Sequence, residues 1–150
     1  MQILMDGESK MSTRWIKPGE CQSLAVLVET VIGQILLQHE APICLELDID
    51  TDIDVPANAE QVVQLLSSLV AQSLEEMDGG GDLTVTAVCT SSGVELELAD
   101  TGSAVEDRSK RLPMIAASMG ASLSWQNCPQ GGGAVTIIFP RQSQNRRAAA

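Results

Sequence analysis

Asp100, Thr101 and Gly102 form the stretch of this sequence whose residue types are best suited to binding chemistry. They directly follow an alternating apolar and acidic run, VELELA. An ionised carboxylate is a strong hydrogen-bond acceptor, and a glycine two residues later lets the backbone approach a ligand closely. Asp and Gly are also common where a turn begins, so a ligand-binding carboxylate and a plain turn both stay open.

Metal and nucleophile chemistry have weaker candidates. The cysteines are far apart and form no CxxC pair: Cys21, Cys44, Cys89 and Cys128. A metal site or redox pair would need convergence in three dimensions, so buried or idle reduced thiols are expected. The single histidine, His39, falls at a predicted helix end and is interpreted as a surface residue.

Composition excludes several function classes. The formal net charge of -11 argues against binding to nucleic acid or an anionic membrane, which needs clustered Lys and Arg. The aromatic residues are too few for a base-stacking surface: Trp15, Trp125 and Phe139. No apolar run approaches the roughly 20 residues that span a bilayer, and no secretory leader pattern is present, so a cytoplasmic protein is expected.

Apolar periodicity predicts the elements that must position Asp100. Three-to-four spacing from Leu24 to Leu36 predicts a helix that stops near His39, and strict alternation predicts a strand from Ile43 to Ile49. Asn58 is a predicted N-cap for a long helix whose apolar stripe reaches Met77 and which ends at a glycine triplet.

The second half of the chain is predicted to be mainly strands. A hairpin covers 83–98, a short helix runs from Leu112 to Met119 with Gly120 as C-cap, and two strands cover 121–126 and 134–139. This order predicts an α+β fold: a two-layer sandwich with helices on one face of a mixed, mostly antiparallel sheet. We predict a flexible arm at 1–19, one domain at 20–140 and a polar disordered tail at 141–150.

Three segments in this order resemble the ATP-binding domain of sensor histidine kinases. They are ICLELDIDTDIDVPANAEQVVQLLSSLV, VELELADTG and SMGASLSWQNCPQGGGAVTIIFP, and the resemblance covers about residues 22–140. The wider superfamily, with the Bergerat-type or GHKL fold, includes DNA gyrase B, MutL and the heat-shock chaperone ninety. The resemblance implies ATP and magnesium as cofactors and a role in two-component-type signalling.

The resemblance also assigns an adenine pocket. Asp100 would accept a hydrogen bond from the adenine amino group, and the neighbouring cofactor-binding positions would be Thr101, Gly102, Gly132 and Gly133. Ala104 stands where the family turn has its second glycine, which adds a methyl group where close approach is needed.

The metal and phosphate positions depart further from the family pattern. The resemblance places Ser68 at the catalytic position that orients the attacking group and Gln72 at the magnesium ligand. These residues are four apart and share one helix face. Glu75 replaces a basic residue, so a carboxylate would face the triphosphate. Lys110 and Arg111 are the cations that could meet a phosphate or simply begin a solvated helix, and the glycine-rich lid is missing.

Two functions follow from this combination. The first is a degenerate, pseudokinase-like domain with weak or no ATP turnover that works by contact with a receiver domain or a kinase. Its expected surfaces are the first helix and the short helix near Met114. The alternative is an active single-domain kinase that phosphorylates a His or Ser of another protein.

Overall fold

The computed structural model describes residues 22–109 and 111–141. It contains three helices, α1 (Leu24–Leu36), α2 (Ala59–Glu75) and α3 (Met114–Met119), with a short 3-10 helix at Val105–Asp107. The five strands are β1 (Ile43–Ile49), β2 (Gly81–Thr90), β3 (Gly93–Asp100), β4 (Ser122–Asn127) and β5 (Gly133–Pro140). The predicted arm, most of the predicted tail and Lys110 lie outside the described residues, so the predicted domain boundaries stay predictions.

The strands form one sheet in the order β1-β2-β3-β5-β4. Only β1 and β2 are parallel, and the other three pairings are antiparallel. The parallel pair needs a crossover connection, and α2 supplies it. The α+β prediction with a mixed, mostly antiparallel sheet is therefore confirmed.

The helices cover one face of the sheet because the strands alternate. Leu83 and Val85 of β2, Leu96 and Leu98 of β3 and Ile137 of β5 are fully buried. They pack against apolar side chains of α1 and α2, which include Leu24, Leu27, Val28, Ile32, Leu65, Leu66 and Leu69. Asp100 follows Leu96 and Leu98 at intervals of two residues. Because alternate residues of a strand share one face of the sheet, the Asp100 side chain faces the helices.

Three predicted helix bounds were wrong. Helix α1 ends at Leu36 rather than near His39. The third helix begins at Met114 rather than Leu112, since the ring of Pro113 disfavours a helical conformation for the residue before it. Helix α2 ends at Glu75, and Met77 is buried in the turn that follows. Gly120 does end α3 in the left-handed conformation, with φ of 70°, as predicted.

The N-cap of α2 gives a direct stability test. The Asn58 side chain accepts a hydrogen bond from the Gln61 N–H at 3.1 Å. Asn58→Ala leaves that N–H without its partner, so we expect a loss of about 1 kcal/mol in the free energy of unfolding. Urea denaturation measures this loss, and Asn58→Asp, which keeps a capping oxygen, is the control. Equal losses in both variants would contradict the capping role.

Candidate functional site

Asp100 lies at the end of β3, where the chain leaves the sheet and crosses toward α3. Its carboxylate accepts the N–H of Gly102 at 2.9 Å and the N–H of Gly133 at 3.3 Å, both at Oδ1. The residue is 3% exposed and is one of two buried polar or charged residues found in the described part of the chain. A buried carboxylate with two backbone donors belongs to an ordered hydrogen-bond network, whereas a plain turn residue would face water.

Arg108 completes the environment of Asp100. Its Nη1 and Nη2 atoms each donate to a different carboxylate oxygen of Asp100 at 2.9 Å. The side chains are 8% and 1% exposed, so this two-pronged ion pair is shielded from water. Arg108 also donates to the carbonyl of Ser103, which fixes the guanidinium within the loop.

The ion pair sets the ionisation of both groups. Burial alone would raise the pKa of Asp100, but the hydrogen bonds from Arg108 and from Gly102 and Gly133, with the charge of Arg108, lower it below its usual value. The hydrogen bond to Asp100 raises the pKa of Arg108 against the opposing effect of burial. Both groups therefore stay charged near neutral pH.

A connector joins β3 to α3, and its described residues are 101–109 and 111–113. It is fastened to β4 at one end, where the Val105 N–H donates to Asn127 Oδ1 at 2.8 Å. The Asn127 amide in turn donates to Glu106 at 3.0 Å. These contacts hold the 3-10 helix in place, so that the chain folds back and the Arg108 side chain reaches Asp100.

The other end of the connector is fastened to α2. Gln72 Nε2 donates to the carbonyl of Arg111 at 2.8 Å, and Arg111 Nη2 lies 3.2 Å from the carboxylate of Glu75. This ion pair is exposed, at 53% and 57%, and so contributes at most about 1 kcal/mol. Gln72, which the resemblance assigned to magnesium, and Glu75, which stands where the family has a basic residue, thus hold the connector.

The space between Asp100 and α2 is almost filled. The cavity that Asp100 and Arg108 share with Leu69, Ser73 and Trp125 has a volume of about 10 Å³, which is room for about one water molecule. Adenine does not fit there in this conformation. The glycines explain the tight closure: a Cβ on Gly132 would overlap the Asp100 carbonyl oxygen, and one on Gly102 would lie 2.6 Å from the Glu76 carbonyl oxygen.

The structure gathers some of the predicted site residues and separates others. Asp100, Gly102 and Gly133 meet through hydrogen bonds, and Gly132 packs on the Asp100 backbone. Thr101 faces away: its hydroxyl accepts the Asp82 N–H at 3.0 Å and holds the start of β2. Ser68 is half-buried one turn before Gln72 and does not line the cavity.

Arg108 is the residue that the sequence analysis did not single out. It lies in a polar stretch without periodicity, and its partner is eight residues away across a turn. A lone Arg after an Asp-x-Gly turn was the available signal, but many polar loops contain one. Cys44, Cys89 and Cys128 are free thiols, and none of the three is fully buried.

No protein-family model matches this sequence, and no curated protein matches it. Solved structures do. The blue-light activated histidine kinase of Erythrobacter litoralis has a TM-score of 0.66 at 17% identity over 83% of this chain, which spans 43% of that kinase chain. The described chain has the fold of a histidine kinase catalytic domain.

Two further structures with the histidine kinase fold support this assignment. A mycobacterial sensor histidine kinase, MprB, has a TM-score of 0.65 at 14% identity, with 81% of this chain and 97% of that chain covered. The histidine kinase AdeS of Acinetobacter baumannii has a TM-score of 0.64 at 20% identity, with 83% and 68% covered. At these identities the likeness establishes the fold alone. Within the described residues, no helix is both long and apolar enough to span a membrane.

Proposed function

We propose that this chain is a degenerate histidine kinase-type domain of the cytoplasm that has lost productive ATP binding and acts by contacting a protein of two-component-type signalling. The observation that carries the proposal is the Asp100–Arg108 ion pair, which occupies the carboxylate that the fold would otherwise offer to adenine.

The hydrogen-bonding capacity of Asp100 supports this proposal. Asp100 accepts four hydrogen bonds, three at Oδ1 from Gly102, Gly133 and Arg108 and one at Oδ2 from Arg108, and the cavity beside the carboxylate holds only about 10 Å³. An adenine amino group would have to displace Arg108. Stripping a buried guanidinium of its carboxylate costs about 3–5 kcal/mol, which is a large part of the binding energy of an ordinary nucleotide site.

The metal side of the cleft supports the same conclusion. The Gln72 amide, the position that the family uses for magnesium, is bound to the Arg111 backbone. Glu75 adds a negative charge where a triphosphate would need a positive one. Magnesium requires near-ideal octahedral geometry, so a long amide side chain already engaged elsewhere is a poor ligand.

Apolar exposure supports action through a partner. Leu112 is 69% exposed and Met114 is 88% exposed, on either side of Pro113 at the start of α3. Two large and highly exposed apolar side chains this close in the sequence are typical of a contact surface. We propose that Leu112 and Met114 contact the partner, which is a receiver domain or a kinase.

The alternative, an active single-domain kinase, is favoured by one observation. The Arg111–Glu75 ion pair is exposed and contributes at most about 1 kcal/mol, so opening that end of the connector mainly requires breaking the hydrogen bond between Gln72 and the Arg111 backbone. An active enzyme would have to open the connector further and withdraw Arg108 from Asp100.

Calorimetry with Mg-ATP distinguishes the two functions. We expect no saturable heat from the wild-type chain and no ATP-dependent rise in melting temperature at millimolar nucleotide, since a bound ligand would stabilise the native state. Binding tighter than about 100 µM, roughly -5.5 kcal/mol, that is lost in Asp100→Asn would overturn the proposed loss of ATP binding.

Arg108→Met is the matched variant for this titration. It removes the guanidinium but retains much of its apolar volume, so it frees the Asp100 carboxylate. If Arg108 alone blocked a complete site, this variant would bind ATP in a magnesium-dependent way. We expect no such gain, because Gln72 and Glu75 do not provide a metal and phosphate site.

A further inference from the structure

A groove separate from Asp100 lies between the C-terminal ends of α1 and α2. Its volume is about 640 Å³. Apolar side chains and polar or acidic ones share its walls: Gln34, Ile35, Gln38, His39, Ala71, Leu74, Glu75 and Asp78. Most of these residues are exposed, so the groove is open and cannot enclose most of a small molecule, as a ligand pocket does.

The groove is electrostatically negative. Both helices end here, and the last turns of α1 and α2 contain no basic residue. Free carbonyl groups at a helix C-terminus carry partial negative charge, and the carboxylates of Glu75 and Asp78 add to it. No Lys or Arg lines the groove among the residues that the structure describes, and Arg111 reaches it only from the rim, through its ion pair with Glu75. A cationic occupant is therefore favoured.

One wall also has an unsatisfied polar atom. His39 Nε2 is buried and has no hydrogen-bond partner in the described part of the chain. Native proteins rarely leave such an atom unpaired. Apolar walls from Ile35, Ala71 and Leu74 complete a surface that combines hydrophobic and cation-binding features.

We propose that this groove binds an amphipathic helical segment of a partner protein, with apolar side chains against Ile35 and Leu74 and Lys or Arg side chains at Glu75 and Asp78. An amphipathic helix laid between two helices is a common recognition mode, and its charges here complement those of the rim. The assignment of the partner to signalling rests on the proposed function; the chemistry of the occupant does not.

The groove is coupled to the connector through Glu75. The same carboxylate pairs with Arg111, whose carbonyl binds Gln72. A cation of the occupant competes with Arg111 for Glu75. Arg111→Ala removes this competition, so we expect tighter binding of the occupant to that variant.

The probe is a capped synthetic helix of about 18 residues with Leu at i, i+3, i+4 and i+7 and Lys elsewhere. Fluorescence anisotropy at about 0.15 M salt measures its dissociation constant. We expect Glu75→Gln with Asp78→Asn to weaken binding about tenfold or more. The matched control removes the same charge from the open face of the sheet, as Glu95→Gln with Glu97→Gln, and should change binding less than about threefold.

A steric pair tests the location independently. Ala71→Phe fills the groove from an exposed position of α2, and Ala117→Phe adds the same bulk to an exposed position of α3. Only the first should weaken binding, with far-UV circular dichroism confirming that both variants fold. Equal losses in the two charge pairs would show that the peptide responds to the acidity of the whole chain, and tight binding to Ala71→Phe would place it elsewhere; either result overturns the proposal.

The outcomes separate this proposal from the proposed function. If the peptide does not bind in the groove, the Asp100–Arg108 ion pair and the proposed function are unaffected. Tight ATP binding would overturn the proposed function, while the comparison between the groove and control variants would still decide the present proposal.

Discussion

Asp100→Asn is expected to destabilise the domain by about 3 kcal/mol or more, because it leaves the Arg108 guanidinium buried without its counter-charge. Asp107→Asn changes an exposed carboxylate of the same connector and should stay within about 0.5 kcal/mol of the wild type. Urea unfolding followed by Trp fluorescence measures both losses.

A double-mutant cycle separates the ion pair from the rest of the Asp100 environment. Arg108→Met alone leaves a carboxylate that still accepts the Gly102 and Gly133 N–H groups. The double variant should therefore lose about 1–3 kcal/mol less than the sum of the single losses. Strict additivity would mean that the two side chains do not interact in solution.

The contribution of the Asp100 carboxylate to stability depends on pH, and the sign of this dependence is defined. The pKa of Asp100 is lowered in the folded state, so the unfolded state takes up a proton more readily and stability increases with pH. The contribution is complete above the unfolded pKa of about 3.9 and is lost as pH falls through the folded value. The difference between wild type and Asp100→Asn should thus be constant above about pH 5 and shrink below about pH 4.

Gly132→Ala is the second large expected effect. Gly132 has a φ of 93°, which L-residues rarely adopt, and its added Cβ would overlap the carbonyl oxygen of Asp100. Backbone cannot move aside as a flexible side chain can, so we expect a loss of about 3 kcal/mol or more and a fall of roughly 10 °C in Tm.

Gly131→Ala is the control for conformational strain alone. Gly131 has a φ of 108°, but nothing lies within 4 Å of the position of its added Cβ. Its cost should be limited to about 1–2 kcal/mol. Equal losses at the two positions, seen by calorimetry, would show that the close contact between this turn and Asp100 is absent.

Local sequence signals predicted most of the fold. The alternation in β1 and the three-to-four spacing in α1 each depend on neighbouring residues. Strand β1 was placed with the correct bounds, and α1 begins at the predicted residue but ends at Leu36, before the predicted end near His39. The Asn58 cap and the Gly120 end of α3 are equally local. The errors at Leu112 and Met77 occurred where a proline and a turn override an apolar pattern.

The site was less predictable because its decisive contacts are not periodic. Asp100 could be recognised from the Asp-x-Gly turn, but the partner that fills its acceptor positions depends on how the connector folds back. The Gln72–Arg111 contact joins residues 39 positions apart. No helical or strand pattern encodes such pairings. The sequence therefore indicated Gln72 as a magnesium ligand, whereas its side chain binds the backbone of the connector.

Nuclear magnetic resonance of the Arg108 guanidinium tests most directly whether this side chain occupies the proposed nucleotide position at Asp100. Paired and shielded from water, its Nη–H groups should give slowly exchanging signals, assigned by their loss in Arg108→Met. We predict that these signals persist unchanged in millimolar Mg-ATP. Signals that shift or vanish saturably as ATP is added would show that nucleotide displaces Arg108, and would contradict the account.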